Sequence, residues 1–202
     1  HDGGSGVGAG LNVDGVKRAP EDITLDYMWL STHLNAEGFR DTGFDIVSRC
    51  KSIGVMQTFN AGLDHPFYKK MSDKGVQICN SSAQGIAIAE YVMGQVLSVL
   101  QPIEAQRAAQ VAKQWKMTPF REISQTRWLI VGFGPIGEAL AKRVRAFDAK
   151  IDVVRRTPSP SPYADRVGRM SDLKTFAADA DIVVLACSLT NETRGVIGQD
   201  FF

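Results

Sequence analysis

The sequence predicts an α/β protein whose second half forms a doubly wound parallel sheet. Segments of strand and helix character alternate along this half, and the helices supply the crossovers that parallel strands require. The strand segments, such as RWLIVG (127–132) and DIVVLAC (181–187), are continuous apolar runs. Such runs are typical of strands buried on both faces, whereas half-exposed strands alternate apolar with polar residues.

A smaller α/β unit is predicted before it. Strands are expected over 23–31, from 52 into a loop that ends at His65, and over 75–80, with short helices such as 66–74 between them. The start, HDGGSGVGAG, is glycine-rich but follows no strand, so we interpret it as a flexible segment and not as a phosphate-binding loop. The expected domains are therefore residues 11–83 and 84–202, preceded by a flexible segment over residues 1–10.

The second unit is expected to open with a long apolar helix from Ile86 to about Gln106. Pro102 should kink or restart this helix, because proline cannot donate the helical hydrogen bond. The helix is apolar on nearly every face through Leu100, which predicts cover on several sides. Strands and helices then alternate over 127–132, 134–147, 150–155, a short strand near Val167, 171–180 and 181–187, with the proline-rich loop TPSPSP after the second strand.

Composition excludes several classes of partner. The 23 Lys+Arg and 22 Asp+Glu leave a formal charge of only +1, too small for a general nucleic-acid or membrane-surface footprint. The longest apolar segment, 86–100, contains Glu90 and is shorter than the roughly 20 residues of a membrane span. Cys50, Cys79 and Cys187 are odd in number and lack metal-ligand spacing, which favours free thiols in a reducing compartment and no metal site.

Gly132, Gly134 and Gly137 form a G-x-G-x-x-G turn between an apolar strand and an amphipathic helix. The first glycine permits the tight bend, the second lets the backbone approach a pyrophosphate, and the third allows close helix packing. The helix start adds free N–H groups and a positive dipole end, so the turn predicts a bound dinucleotide. The alternative is a merely tight strand-to-helix turn. The apolar stripe expected to pack on the sheet consists of Ile136, Leu140, Val144 and Phe147.

The following strand ends in Arg155, Arg156 and Thr157, where a carboxylate would favour NAD by bonding the ribose hydroxyls. Guanidinium groups instead match phosphate oxygens, which predicts NADP over NAD. Eight basic against three acidic residues between 142 and 169 make this region locally positive. Asp152 is expected to face the wrong way along the strand to replace the missing acid. The alternative is that both arginines are simply solvated at a strand end.

Four blocks in this order resemble the D-isomer-specific 2-hydroxyacid dehydrogenases: FNAGLDHPFY, IAIAEYVMGQVL, LIVGFGPIGEALAKRVRAFDAKIDVVRR and ADADIVVLACSLTNETRGVIG. Within that family, the arginine-bearing strand end is similar to the NADPH-using glyoxylate and hydroxypyruvate reductases. The resemblance implies a Rossmann-type cofactor domain, incomplete at its C-terminus, and a flavodoxin-like substrate domain with a cleft between them. It implies a cytoplasmic, homodimeric NAD(P)-dependent oxidoreductase that reduces a small 2-keto acid to a D-2-hydroxy acid.

The resemblance also implies roles for individual residues. The loop Asn60, Ala61 and Gly62 would face the substrate carboxylate; without the resemblance it would equally be an ordinary turn. The first turn of the helix, Pro135 and Ile136, would contact the pyrophosphate. The cofactor segment P-L-T-x-x-T of the family is matched by Cys187, Ser188 and Thr193.

Departures from the family pattern are equally specific. Ser188 replaces a usual proline, Asp148 replaces a glycine that commonly follows the helix, and Gln84 replaces a substrate-facing asparagine of some relatives. By the family's spacing, the catalytic arginine, glutamate and histidine fall beyond Phe202, so these 202 residues are expected not to turn over substrate. His65 has no paired carboxylate in view and is expected to cap or pack locally.

Two rival functions remain open at this point. One is a non-enzymatic corepressor-like relative that senses a dinucleotide and binds proteins. The other is an NAD-dependent dehydrogenase on the same scaffold. The pair Arg155 and Arg156 argues against both, because it favours a phosphorylated carrier.

Overall fold

The computed structural model of the chain describes residues 11–201, apart from Asp14 and Glu37. The chain divides into two compact units between Ser81 and Ser82, two residues before the expected domain boundary. The flexible segment predicted for residues 1–10 lies outside the described residues. Each unit has its own buried core.

The first unit contains a short antiparallel ribbon and a three-stranded parallel sheet. The ribbon pairs β1 (Leu11–Val13) with β2 (Val16–Arg18). The sheet has the order β3-β4-β5, made of β3 (Thr24–Leu30), β4 (Ser52–Thr58) and β5 (Gln77–Cys79). Its helices are α1 (His33–Ala36), α2 (Arg40–Arg49) and α3 (Pro66–Asp73). The three predicted strands and the helix at 66–74 are all present.

Aromatic stacking between two helices anchors the core of this unit. Phe44 of α2 stacks on Phe67 of α3 with ring centroids 4.0 Å apart, and both belong to the core that contains the fully buried Met56 of the central strand. Helix α3 begins where it does because Pro66 occupies its first turn and His65 Nδ1 accepts a hydrogen bond from the Phe67 amide at 3.2 Å. His65 therefore caps a helix, the local role expected from the sequence.

The second unit contains a four-stranded, fully parallel sheet with helices on both faces, which confirms the predicted α/β class. Strand order is β8-β7-β6-β9, so β7 and β8 are added on one side of β6 and β9 on the other, and the order of addition reverses at β6. The strands are β6 (Arg127–Val131), β7 (Lys150–Val154), β8 (Arg166–Gly168) and β9 (Ile182–Leu185). The helices are α4 (Gly85–Leu100), α5 (Ile103–Val111), α6 (Pro135–Arg145) and α7 (Leu173–Ala178).

The two faces of this sheet bury different residues. On one face, Leu140 and Val144 of α6 pack with Ile130 and Ile151, and α4 lies against α6. On the other face, Leu173 of α7 packs with a second set: Leu129, Val131 and Val154. Because both faces are covered, β6 and β7 are buried at every position after their first residue, as the continuous apolar run of β6 predicts; β7 also buries a charged residue, Asp152.

The long apolar helix is interrupted and less covered than expected. It ends at Leu100 and restarts after Pro102 as α5, with a bend of 62°. Only Gly85, Ala89 and Met93 of α4 are buried. The expectation of cover on several sides is wrong, because α6 supplies the cover along one stripe and apolar residues elsewhere on the helix surface are exposed: Ile86, Tyr91 and Val99.

Phe147 does not belong to the buried stripe of α6, contrary to prediction. Leu140 and Val144 are fully buried, but Phe147 is 43% exposed. The reason is that α6 ends at Arg145, and the chain leaves helical register before Phe147. Asp148 then adopts φ +59°, so the aspartate takes the left-handed conformation in which the family commonly has glycine.

No single helix among the described residues is long and apolar enough to cross a bilayer. Only α4 and α5 taken together reach the required length and composition, and they are the pair separated by the 62° bend.

Candidate functional site

The carboxyl ends of β6, β7 and β9 surround a cavity of about 630 Å³ in the second unit. In open parallel sheets this edge, at the point where strand order reverses, is the usual place for a ligand. Eight residues predicted from the sequence to bind the cofactor line it: Gly132, Gly134, Arg155, Arg156, Thr157, Cys187, Ser188 and Thr193.

The three glycines of the turn meet different constraints. Gly132 has φ +95°, and a Cβ added there would lie 2.5 Å from the Cys187 backbone. A Cβ on Gly137 would overlap the Gly132 carbonyl oxygen. A Cβ on Gly134 would meet nothing within 4 Å, so the space above this residue is open. The turn therefore packs tightly on two sides and leaves one side free for a ligand.

Helix α6 starts in this open space. Gly134 is extended, Pro135 occupies the first turn, and the amides of Ile136 and Gly137 donate to no acceptor within the part of the chain that the structure describes. Free amides together with the positive end of the helix dipole form an anion site. The arrangement fits a dinucleotide pyrophosphate.

Three guanidinium groups reach the same cavity. Arg155 lies 5.7 Å from the centre of the Phe133 ring and donates to Ser159 Oγ at 3.0 Å. Arg156 Nε lies 3.7 Å from Glu192 Oε2. Arg169, which follows β8, lines the cavity from the side of the next strand. The cavity wall beyond β7 is therefore positively charged.

Asp152, the carboxylate inside β7, takes no part in this wall. It is fully buried and accepts hydrogen bonds from Arg127 at 3.1 Å and from Arg166 at 2.6 to 2.9 Å. The hydrogen bond to Asp152 raises the pKa of the Arg166 guanidinium above its usual value. Two arginines thus neutralise the only acid of β7, so it does not repel an anion at the strand end.

The segment after β9 is held by hydroxyl hydrogen bonds. Thr193 Oγ1 donates to the Ser188 carbonyl oxygen at 2.7 Å and accepts from the Thr190 amide at 2.8 Å. These bonds close the turn in spite of Ser188, which replaces the family's proline. All three cysteines are free thiols: Cys187 is exposed, Cys79 is half-buried and Cys50 is buried. Burial raises the pKa of the Cys50 thiol.

Three predicted cofactor residues lie outside the cavity lining. Ile136 and Gly137 belong to the first turn of α6 below it, and Pro135 lines a shallow depression on the other side of that helix. The sequence also missed several lining residues: Phe133, Val154, Arg169, Met170, Ser171, Ala186, Thr190 and Glu192. From the sequence, Arg169 contributes only to the local positive charge, and Glu192 is an unassigned residue within the cofactor segment 187–193. Strand order brings both of them to the cavity.

The loop Asn60, Ala61 and Gly62 belongs to the first unit, immediately after β4. The Asn60 amide donates to Thr58 Oγ1 at 3.1 Å, and its side-chain amide donates to the Tyr68 hydroxyl. Thr58 and Tyr68 are themselves buried and hydrogen-bonded to each other at 3.1 Å. This network fixes the start of the loop.

Two further bonds fix the other end of the same loop. Asn80 Nδ2 donates to the Ala61 carbonyl oxygen at 2.9 Å, and the Ser81 amide donates to the Asn60 carbonyl oxygen at 3.1 Å. The amides of Ala61 and Gly62 have no acceptor among the described residues. Consecutive free amides on a fixed loop can bind a carboxylate. Gln84, the remaining candidate contact, lies at the N-terminal boundary of α4.

Within the described ranges, no group of three or more His, Cys, Asp or Glu side chains is arranged to hold a metal ion.

Comparison with known proteins gives the same assignment of fold. The family model described as D-isomer specific 2-hydroxyacid dehydrogenase, NAD binding domain, matches residues 93–202. Glyoxylate/hydroxypyruvate reductase A HPR2 of Arabidopsis thaliana is 30% identical over 192 residues, which cover 90% of this chain and 59% of the relative. Hydroxyphenylpyruvate reductase of Plectranthus scutellarioides is 30% identical over 77% of this chain and 50% of its own length.

Solved structures share the fold at lower identity. The NADPH-dependent glyoxylate/hydroxypyruvate reductase of Sinorhizobium meliloti, in complex with NADP and sulfate, superposes with a TM-score of 0.70 at 22% identity. The match covers 87% of this chain and 53% of that one. A glyoxylate reductase from Paecilomyes thermophila gives a TM-score of 0.69 at 22% identity over 90% of this chain and 55% of that one.

The glycine turn and the parallel sheet together define a Rossmann-type NAD-binding domain. Since the family model covers more than half of the chain, the protein belongs to the D-isomer specific 2-hydroxyacid dehydrogenase family. The chain spans 50 to 59% of the length of the two plant relatives.

Proposed function

We propose that this chain carries the cofactor site and part of the substrate site of an NADP-preferring reductase that converts a small 2-keto acid into a D-2-hydroxy acid. The second unit, from about residue 84, would bind the cofactor, and the first unit, from about residue 11, would contribute to substrate binding. The names of the relatives support the glyoxylate and hydroxypyruvate type of substrate.

One observation carries the preference for NADP. Three guanidinium groups surround the end of β7, and the only carboxylate of that strand is buried and neutralised by two arginines. A dianionic 2′-phosphate is attracted by such a wall, whereas a bare ribose gains little from it. Thr157 lies beside them in the cavity and offers a hydroxyl donor.

In this proposal the free amides at the start of α6 bind the pyrophosphate, and the open space over Gly134 lets it approach. Cys187, Ser188 and Thr193 would line the path of the dinucleotide toward its nicotinamide end. When bound, the nicotinamide supplies the hydride. The amides of Ala61 and Gly62, held by Tyr68 and Asn80, would bind the carboxylate of the keto acid.

We further infer a homodimeric, cytoplasmic full-length protein. The exposed apolar side chains of α4, Tyr91 and Val99 among them, support a dimer, because exposed apolar side chains are commonly buried where subunits meet. The three unpaired cysteines support a reducing compartment.

Titration of the chain with NADPH and with NADH, followed by nicotinamide fluorescence, tests the cofactor preference. The wild-type chain should bind NADPH more tightly than NADH. The double variant R155Q/R156Q should weaken NADPH binding at least about tenfold, since each charge-assisted hydrogen bond to phosphate contributes about 1.5–3 kcal/mol. NADH binding should change by less than about threefold.

Arg40→Gln is a matched control, because Arg40 is an exposed arginine of the first unit paired with Asp41. It should leave both affinities unchanged. Equal affinities of the wild-type chain for the two dinucleotides, or equal losses in the double variant, would contradict the proposal and favour an NAD-dependent or NAD-sensing relative.

A further inference from the structure

We infer that Glu192 is the resident counter-ion of the NADP site and limits its preference for NADP over NAD. Its carboxylate occupies Arg156 when the 2′-phosphate is absent and must leave when the phosphate arrives. This inference rests on the proposed function. It adds a specificity-determining residue that lies outside the glycine turn and outside the arginine pair.

The two partners approach the cavity from different strands. Arg156 follows β7, Glu192 belongs to the turn after β9, and β6 with its glycine turn lies between those strands. Arg156 Nε and Glu192 Oε2 are 3.7 Å apart, with side chains 77% and 74% exposed. An ion pair this open costs little to break, so it can exchange with another anion.

The backbone that carries Glu192 is braced, although its side chain is free to turn. Thr190 and Thr193 hydrogen-bond to each other, and Thr193 Oγ1 also donates to the Ser188 carbonyl oxygen. Glu192 is therefore held close to Arg156 by the fold of the turn, and only side-chain rotation is needed to release the guanidinium.

Of the three arginines that line the cavity, Arg156 is the one paired with a carboxylate. Arg155 lies over the Phe133 ring and bonds the neutral Ser159 hydroxyl. The Arg169 guanidinium has no hydrogen-bond or ion-pair partner among the described residues. An incoming 2′-phosphate therefore meets one competing carboxylate in this wall, at Arg156.

Glu192 weakens NADPH binding in two ways, and neither acts strongly on NADH. The Glu192 carboxylate neutralises part of the positive charge that attracts a phosphate, and it repels the phosphate directly. NADH carries a ribose hydroxyl at the same position and feels neither effect strongly. Removing the carboxylate should thus raise NADPH affinity and leave NADH affinity nearly unchanged.

The test compares Glu192→Gln with the wild-type chain by fluorescence titration with both dinucleotides at low ionic strength. Glu192→Gln should tighten NADPH binding about two- to fivefold, the range expected for an exposed ion pair. NADH binding should change less than about 1.5-fold. Glu104→Gln, which removes an exposed acid from α5, makes the same change in net charge and should leave both affinities unchanged.

A double-variant cycle separates the pair from a general field. In an R156Q background, Glu192→Gln should tighten NADPH binding less than in the wild-type background, because the competition for Arg156 is gone and only the direct repulsion remains. Equal gains in both backgrounds, equal gains from Glu104→Gln, or no gain in a chain that prefers NADPH would overturn the inference and leave the proposed function standing. A chain that binds NADPH no better than NADH would overturn both.

Discussion

Gly134 and Gly137 lie three residues apart in one turn, but glycine is needed at the two positions for different reasons. Gly137 is packed against the Gly132 carbonyl oxygen, whereas Gly134 borders open space at the start of α6. The first constraint belongs to folding and the second to ligand approach. Substitution by alanine should separate them.

Gly137→Ala is expected to lower the free energy of unfolding by about 1–3 kcal/mol, because the added methyl group forces the turn apart. Gly134→Ala should keep the stability of the wild-type chain and weaken NADPH binding by at least about tenfold, because the methyl group fills the space over the helix start. Urea unfolding and fluorescence titration measure the two quantities.

Gly94→Ala provides the control for stability. Gly94 lies inside α4, and a Cβ there meets nothing within 4 Å, so alanine should stabilise the helix by about 0.5–1 kcal/mol. If Gly134→Ala unfolds the chain as Gly137→Ala does, the division of roles between the two glycines is incorrect.

At the scale of single elements, α4 combines a buried stripe with an exposed one. Gly85, Ala89 and Met93 face the core of the second unit, and Arg143 of α6 donates to Glu90 at 2.7 Å beside them. Tyr91 and Val99 are exposed, the latter by 82%. A helix that is apolar on both sides and covered on one is typical of an interface element.

Val99→Glu is therefore expected to shift the chain from dimer to monomer, because each copy would bring an unpaired charge to a desolvated surface. Sedimentation velocity over a range of concentrations measures the shift. Lys174→Glu, at an exposed position of α7 in the same unit, should leave the sedimentation coefficient unchanged. A wild-type chain that stays monomeric at every concentration would contradict the dimer proposal for this helix.

The strands of the second unit show what a sequence pattern establishes at this scale. Apolar runs predicted the bounds of β6, β7 and β9 to within two residues. Burial on both faces explains the run in β6, but in β9 Val183 and Leu185 are exposed, so the expectation of burial on both faces is wrong for that strand. Phe147 was assigned wrongly because its burial depends on where α6 ends. Asp148 decides that end through its backbone conformation, and apolar periodicity does not record it.

At the scale of the whole molecule, carboxylates brace the starts of strands in the second unit. Asp181 accepts from the Arg127 amide at 2.9 Å and from Arg121 at 2.8 Å, and these bonds hold its pKa below the usual value. Burial alone would raise the pKa of Asp165, but bonds from the Ile151 amide and Arg145 outweigh it and lower the pKa.

A lowered carboxyl pKa fixes the sign of the pH dependence. The unfolded chain binds these protons first, so the stabilisation is complete above the ordinary value of 3.8 and is lost as pH falls through the folded-state pKa. The free energy of unfolding should therefore decrease as pH falls from about 5 to about 2.5. Urea titrations at a series of pH values measure this loss.

The variant D165N/D181N should show a smaller loss over the same interval than the wild-type chain. Asp73→Asn is its control, since Asp73 forms only an exposed pair with Lys69 on α3. An identical pH profile for the wild-type chain and the double variant would show that other groups control acid unfolding.

The sequence predicted the cavity only in part, and the reason is topological. Gly132, Arg155 and Thr193 were found because each lies in a local motif at the end of a strand. Glu192 and Arg169 come to the same cavity only because β9 and β8 lie on opposite sides of the β6–β7 pair. That neighbourhood is created by strand order, which a linear pattern does not encode.

The buried position of Asp152 has a consequence for redesign. Its carboxylate accepts hydrogen bonds from Arg127 and Arg166 inside the sheet, so it cannot also bind an adenosine ribose at the end of the strand. A redesign for NAD would therefore replace Arg155 by an acidic residue, which also removes the contact of Arg155 with the Phe133 ring. The route to altered carrier use therefore runs through the surface of this strand end, while its interior acid stays untouched.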